Sequence, residues 1–156
     1  MNNSEPLLVS FKSNGNSYTA YIPLNQFLET DKDVESILKQ LAKIYQNYIV
    51  LMRENLAEIE NFRSTRKPLP ARLVWKLGGL IFKLTESLET EGFQIDGIYE
   101  HLVRDLQVKR KWLEKVIILR RYVPKQNMIP ETLNWGRFEK GTRKKAEGMS
   151  KGIIPG

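Results

Sequence analysis

The sequence contains no cysteine and a single histidine, His101, among its 156 residues. The first absence excludes a disulfide framework, a thiolate zinc site and a cysteine nucleophile. The second leaves no histidine set from which a metal site could be built. Long apolar runs are missing too. The stretches at residues 48–52 and 116–119 are among the longest, far short of the about 20 residues that a membrane helix needs. Residues 1–6 carry neither the basic nor the apolar part of an export signal. The phosphate-cradling pattern Gly-x-x-x-x-Gly-Lys-Ser/Thr and the nucleophile elbow Gly-x-Ser-x-Gly do not occur. These absences predict a cytoplasmic protein that is not an enzyme, holds no cofactor or metal and does not enter a membrane.

What is present is enough apolar material to fold, 41% hydrophobic against 28% charged residues, and an uneven surplus of positive charge. The net charge is +7. Residues 1–66 hold seven basic and eight acidic side chains, whereas thirteen basic side chains face four acidic ones from Lys109 onward. A polyanion would therefore be drawn to the back of the chain rather than to the molecule as a whole.

The first elements are legible from turn chemistry and periodicity. Two β-branched and aromatic runs, residues 7–12 and 17–24, flank Asn14-Gly15, which supplies the positive φ angles of a tight hairpin turn. Asp31 and Asp33 stand before a long apolar period and are placed to cap a helix of about 30 residues starting near residue 33. Its seam runs through Val34, Leu38, Leu41, Tyr45, Tyr48, Met52, Ile59 and Phe62, with Asn55 as its one polar member. Such a seam predicts association of two chains, the buried Asn fixing register and partner number, although apolar residues beside it favour packing on several helices. Glu29, Asp31, Asp33 and Glu35 alternate at the helix start; capping and solvation explain them better than a cation site. Pro68 and Pro70 break the pattern and mark a linker. A second apolar stripe, Leu73 to Leu88, contains Gly78-Gly79, each costing about 1 kcal/mol relative to alanine unless helices approach closely there. Gly92 ends it.

Beyond Gly92 two short helices meet at a tight turn, the first capped by Asp96 and running to about Leu106, the second running from about Lys109 to before Pro124. Val103, Leu106, Val108, Leu113, Val116 and Ile117 stand where the helix-turn-helix of phage repressors packs its two helices, and residues 102–117 resemble that motif. Two positions depart from it: Val103, where alanine is commonest, and Gln107, where glycine usually relaxes the turn. Lys109, Arg110 and Lys111 fall in the first turn of the second helix, with Glu114 and Lys115 on the next. Three cations at a helix start oppose the macrodipole, and as the groove-entering helix of such a motif they would contact phosphate or guanine while Glu114 accepts from cytosine. Trp75, Trp112 and Trp135 read as core rather than as base-stacking residues. Residues 71–142 also resemble the N-terminal helical module of an uncharacterised bacterial nuclease family associated with restriction and mobile elements, through Trp75-x-x-Gly78, Arg120-Arg121-Tyr122 and Leu133-Asn134-Trp135. The acidic-any-lysine triplet of that family's nuclease domain occurs nowhere in the 156 residues, so the resemblance implies a binding module.

The expected protein is mainly α with a small N-terminal β-hairpin. A hairpin and association helix occupy residues 1–66, a helix-turn-helix module residues 67–140, and a loose basic tail residues 141–156. Its expected function is duplex DNA binding, sequence-specific or semi-specific, as a homodimeric transcriptional regulator or an accessory factor of a mobile or defence system. Lys109, Arg110, Lys111, Glu114, Lys115 and Arg121 form the expected contact set, with Arg137, Lys140, Arg143, Lys144 and Lys145 adding attraction. The rival expectation is a protein-interaction subunit of a larger nucleic-acid-bound complex.

Overall fold

The computed structural model describes residues 6–23 and 33–155; Leu24, Glu29 and Asp31 lie outside them. The chain opens on strands β1 (Pro6–Ser13) and β2 (Asn16–Pro23), paired antiparallel with Phe11 opposite Tyr18. Both residues of the connecting turn have positive φ, Asn14 at 51° and Gly15 at 81°, the type I′ pattern whose twist matches that of the strands. Tyr18, Ala20 and Ile22 alternate inward, and Phe11 stacks on Tyr18 at 5.1 Å between ring centroids. A two-residue strand β3 (Gln94–Ile95) adds to β2 through Ala20 and Tyr21, so the hairpin becomes a three-stranded sheet of order β1-β2-β3.

Helix α1 (Val34–Ser64) starts where Asp33 accepts from the Ser36 amide at 2.8 Å. Its buried stripe is Ile37, Leu41, Tyr45, Ile49, Met52, Asn55 and Ile59. Leu41, Tyr45, Met52, Asn55 and Ile59 belong to the expected seam, but Val34 is exposed, and Leu38, Tyr48 and Phe62 are half-buried. The cover comes from the chain itself: α1 packs against β1, α2 (Ala71–Thr90) and α3 (Ile98–Leu106). Asn55 donates at 3.2 Å to the Leu73 carbonyl in the first turn of α2 rather than to a second copy. The face expected to join two chains is thus an internal face, and a partner could take it only by displacing α2 and the sheet. The expected boundary at residue 66 is likewise a short connection between two antiparallel, packed helices, because one hydrophobic core runs from Phe11 to Met149.

Helix α3 begins at Ile98 with Gly97, not Asp96, in the capping position, and no side chain caps it. The Asp96 amide instead donates to the Thr19 carbonyl at 2.8 Å, extending the β2–β3 pairing. Helix α4 (Arg110–Tyr122) follows. It crosses α2 at Gly78, where an added Cβ would stand 2.6 Å from the Cβ of Arg120 and 3.0 Å from the Val116 carbonyl oxygen. At Gly79 the nearest atom would be 3.6 Å away. Adjacent substitutions should therefore have opposite signs. Gly78→Ala should destabilise by about 1–3 kcal/mol through overpacking, and Gly79→Ala should stabilise by about 0.5–1 kcal/mol through helix propensity, both read from urea midpoints.

After a 3₁₀ turn (Gln126–Met128) and the one-turn helix α5 (Gly136–Glu139), helix α6 (Thr142–Ser150) packs on α4 and buries Thr142, Ala146 and Met149. Residues 142–150, expected as a loose basic tail, are thus an amphipathic helix, because Ala146 and Met149 face inward at helical spacing from Thr142, whose hydroxyl donates to the Phe138 carbonyl. The result is a mainly α protein with a small antiparallel sheet at its N-terminal end. No described helix is long and apolar enough to cross a membrane.

Candidate nucleic-acid interface

The turn between α3 and α4 has the geometry that glycine usually provides, built from glutamine. Gln107 sits at φ 54°; its amide donates to the Arg104 carbonyl at 3.3 Å and the Val108 amide to the Val103 carbonyl at 3.2 Å. This is the double bond of a left-handed helix end, and an L residue there carries steric strain. Gln107→Gly should therefore leave the structure unchanged and raise stability by about 0.5–1 kcal/mol, measured by thermal unfolding. A fall in stability would show that the Gln107 side chain contributes more than its strain costs. Of the six apolar positions of the motif, Leu106, Leu113, Val116 and Ile117 are buried, and Val103 and Val108 pack half-buried against the core.

Burying that side leaves the opposite face of α4 open. Lys109, which occupies the N-cap without a capping side chain, and Arg110, Lys111, Glu114 and Arg121 are exposed; Lys115 is half-buried. Arg110 is not free. Its guanidinium lies 3.3 Å from Glu100 of α3 and 3.3 Å from Glu114 of its own helix. Among the described residues no acidic group lies within 4 Å of Lys109, Lys111, Lys115 or Arg121, by contrast with Arg110. Glu114, expected as a base acceptor, is thus engaged by Arg110, at an exposed pair whose energy is small.

A groove flanks the helix on each side. One, of 260 Å³, has Val103, Leu113, Ile117 and Ile118 in its wall and Arg110 and Arg121 among its polar residues. The other lies between α4 and α6 and brings Lys115 together with Arg143 and Lys144. Arg143 is held by the Tyr122 hydroxyl at 3.1 Å and by Glu147 at 3.3 Å. Arg137 and Lys140 line neither groove. Arg137 lies on α5, two residues beyond Trp135, whose amide donates to the Leu69 carbonyl at 2.7 Å, so it belongs to the end of the molecule where α1 turns into α2.

The three tryptophans serve the fold. Trp135 is buried, Trp75 donates to the Val123 carbonyl at 2.5 Å, and Trp112 lies under the guanidinium of Arg63 at 5.1 Å. Arg120 stacks over both Trp75 and Phe82, at 4.8 and 5.3 Å, which is what Gly78 makes room for.

Sequence reasoning missed the most polar site inside the fold. The Asp105 side chain, 6% exposed, accepts from the hydroxyls of Tyr18 and Tyr45, the latter at 2.5 Å, from Arg104 Nε at 2.9 Å and from Asn16 Nδ2 at 3.4 Å. Burial opposes its charge, but Arg104 and the two hydroxyls outweigh burial and hold the carboxyl below the usual carboxylate range. Burial and the neighbouring carboxylate push the Tyr45 hydroxyl far up, so it remains a donor. His101, packed against Tyr18 at 4.5 Å with the two rings tilted by 54°, is held below the usual imidazole range first by burial and then by Arg104. It is a neutral packing residue at pH 7. The cluster ties the sheet, α1 and α3 together. Among the described residues no group of three or more acidic or histidine side chains is placed to hold a metal. Comparison with protein-family models, curated proteins and solved structures finds no match.

Proposed function

We propose that the chain binds duplex DNA, with α4 as the helix that enters the groove, as a transcriptional regulator or an accessory factor of a mobile or defence system. One observation carries the reading: Lys109 and Lys111 stand exposed at the uncapped start of α4 with no acid within reach among the described residues. There the macrodipole disfavours them, a cost that an outside anion bound at the helix start would relieve. Lys115, Lys144 and Lys145 on the α6 side and Arg121 at the far end supply further phosphate contacts, which position a protein without reading sequence. The long-helix seam is covered within the chain, so a homodimer that pairs two half-sites would form through another surface, and sedimentation of the protein alone reads that state.

The rival reading, an interaction subunit of a larger nucleic-acid-bound complex, is favoured by the apolar wall of the 260 Å³ groove beside α4. Solo affinity separates the two. The purified chain should bind a short fluorescent duplex with a log-log salt slope of about −3 or steeper between roughly 50 and 200 mM salt, at about −0.9 per phosphate contact. No binding of the isolated chain at the low-salt end would give the rival the lead.

A further inference from the structure

Cations from distant parts of the sequence gather at one end of the molecule. Arg63, in the last turn of α1, lies over Trp112 in the first turns of α4. The chain then turns tightly, the Arg66 amide donating to the Arg63 carbonyl at 3.1 Å and the Lys67 amide to the Phe62 carbonyl at 2.9 Å, which keeps Arg66 and Lys67 beside Arg63. Two residues later the Leu69 carbonyl accepts from Trp135, which sets Arg137 against the same turn. Arg63, Arg66, Lys67 and Arg137 are exposed, and no acidic group lies within 4 Å of any of them among the described residues, unlike Arg72, which pairs with Glu131 at 3.5 Å. A groove of 510 Å³ between α1 and the α3–α4 turn is lined by Arg63, Gln107 and Val108; Glu60 is the one exposed acid in its wall.

We infer that this end of the helical hairpin is a second contact surface, for the sugar-phosphate backbone of the duplex whose groove α4 enters. The inference rests on the DNA-binding reading and adds a role for residues 63–67, which lie far in sequence from the basic stretch that begins at Lys109. Stacking on Trp112 holds the Arg63 guanidinium at the first turns of α4 without neutralising it. Arg66 and Lys67 continue the basic strip away from α4, as a backbone strand continues away from the groove. These contacts supply affinity and register and no base discrimination.

The test compares salt dependence of duplex binding for R66Q/K67Q, for R63Q, which keeps most of the stem over Trp112, and for K43Q/K83Q as a control. Lys43 stands twenty residues before Arg63, about 30 Å away along α1, and Lys83 is a turn from Ser87, which bonds Tyr48 in the same distant half at 3.0 Å. R66Q/K67Q should flatten the log-log slope by about two units and R63Q by about one, with affinity falling equally on unrelated duplexes; the control should keep the wild-type slope. Wild-type slopes in R66Q/K67Q and R63Q, with binding still dependent on Lys109 and Lys111, would overturn this inference alone. An equal flattening in the control would reduce the strip to diffuse attraction and overturn it too. A wild type that binds no duplex would overturn both readings.

Discussion

Replacing Asp105 with alanine should destabilise the fold by roughly 3–5 kcal/mol, since it strips the acceptor from two part-buried tyrosine hydroxyls and an unmade bond of this kind costs about 1–3 kcal/mol. Asp105→Asn keeps one acceptor oxygen and loses the charge, so it should cost less, about 1–3 kcal/mol. Urea midpoints read both. Tyr45→Phe removes one of the stranded hydroxyls, and the pair Tyr45→Phe with Asp105→Ala should therefore cost less than the sum of its members. The acid also imposes a pH dependence. Its pKa in the folded protein lies below the ordinary aspartate value, so its contribution is complete above about pH 4 and is lost as the pH falls through the lowered folded value. Wild-type stability should drop over that acidic window, and Asp105→Asn should lack this part of the drop. An Asp105→Ala protein within about 1 kcal/mol of wild type would show that the cluster is incidental to the fold.

The elements whose causes are local were legible in the sequence. Asn14-Gly15 fixes a hairpin by its own backbone preferences, Asp33 marks the start of α1 by satisfying free amides, and the apolar spacing on either side of Gln107 marks two helices and their turn. Periodicity shows that a face is covered but not by what. The stripe on α1 suits a second chain as well as it suits α2 and the sheet, and only the fold gives Asn55 the Leu73 carbonyl as its partner. Two strand residues, Gln94 and Ile95, are too few to form a pattern. Asp105 is one acid among the polar positions of a short helix, and its meaning comes from Tyr18 and Tyr45, far away in sequence. Helix α6 did leave a signal: Thr142, Ala146 and Met149 follow helical spacing, but the Gly, Lys and Arg around them masked it. For the candidate site, the exposure of Lys109 and Lys111 follows from the apolar residues behind them. The ion pairs that engage Arg110 and Glu114 and the arrival of Arg63 at Trp112 depend on tertiary placement.

If α4 meets the duplex with its first turn, the variant K109Q/K111Q should lose two of the contacts that hold it there. Both side chains are exposed and make no hydrogen bond or ion pair among the described residues, and the helix dipole disfavours both charges, so the variant should unfold at or slightly above the wild-type urea midpoint. Removing two phosphate-binding charges should flatten the log-log salt slope by about two units and weaken binding roughly 30-fold at 0.15 M salt through counterion release. Arg110 is a poorer choice for this test, since its removal would leave Glu100 and Glu114 unpaired at the same face. The decisive measurement is the anisotropy titration of wild type and K109Q/K111Q against the same duplex over a range of salt. An α4 that enters the groove gives the flattened slope and the weaker affinity. Wild-type slope and affinity in the folded variant would contradict that placement.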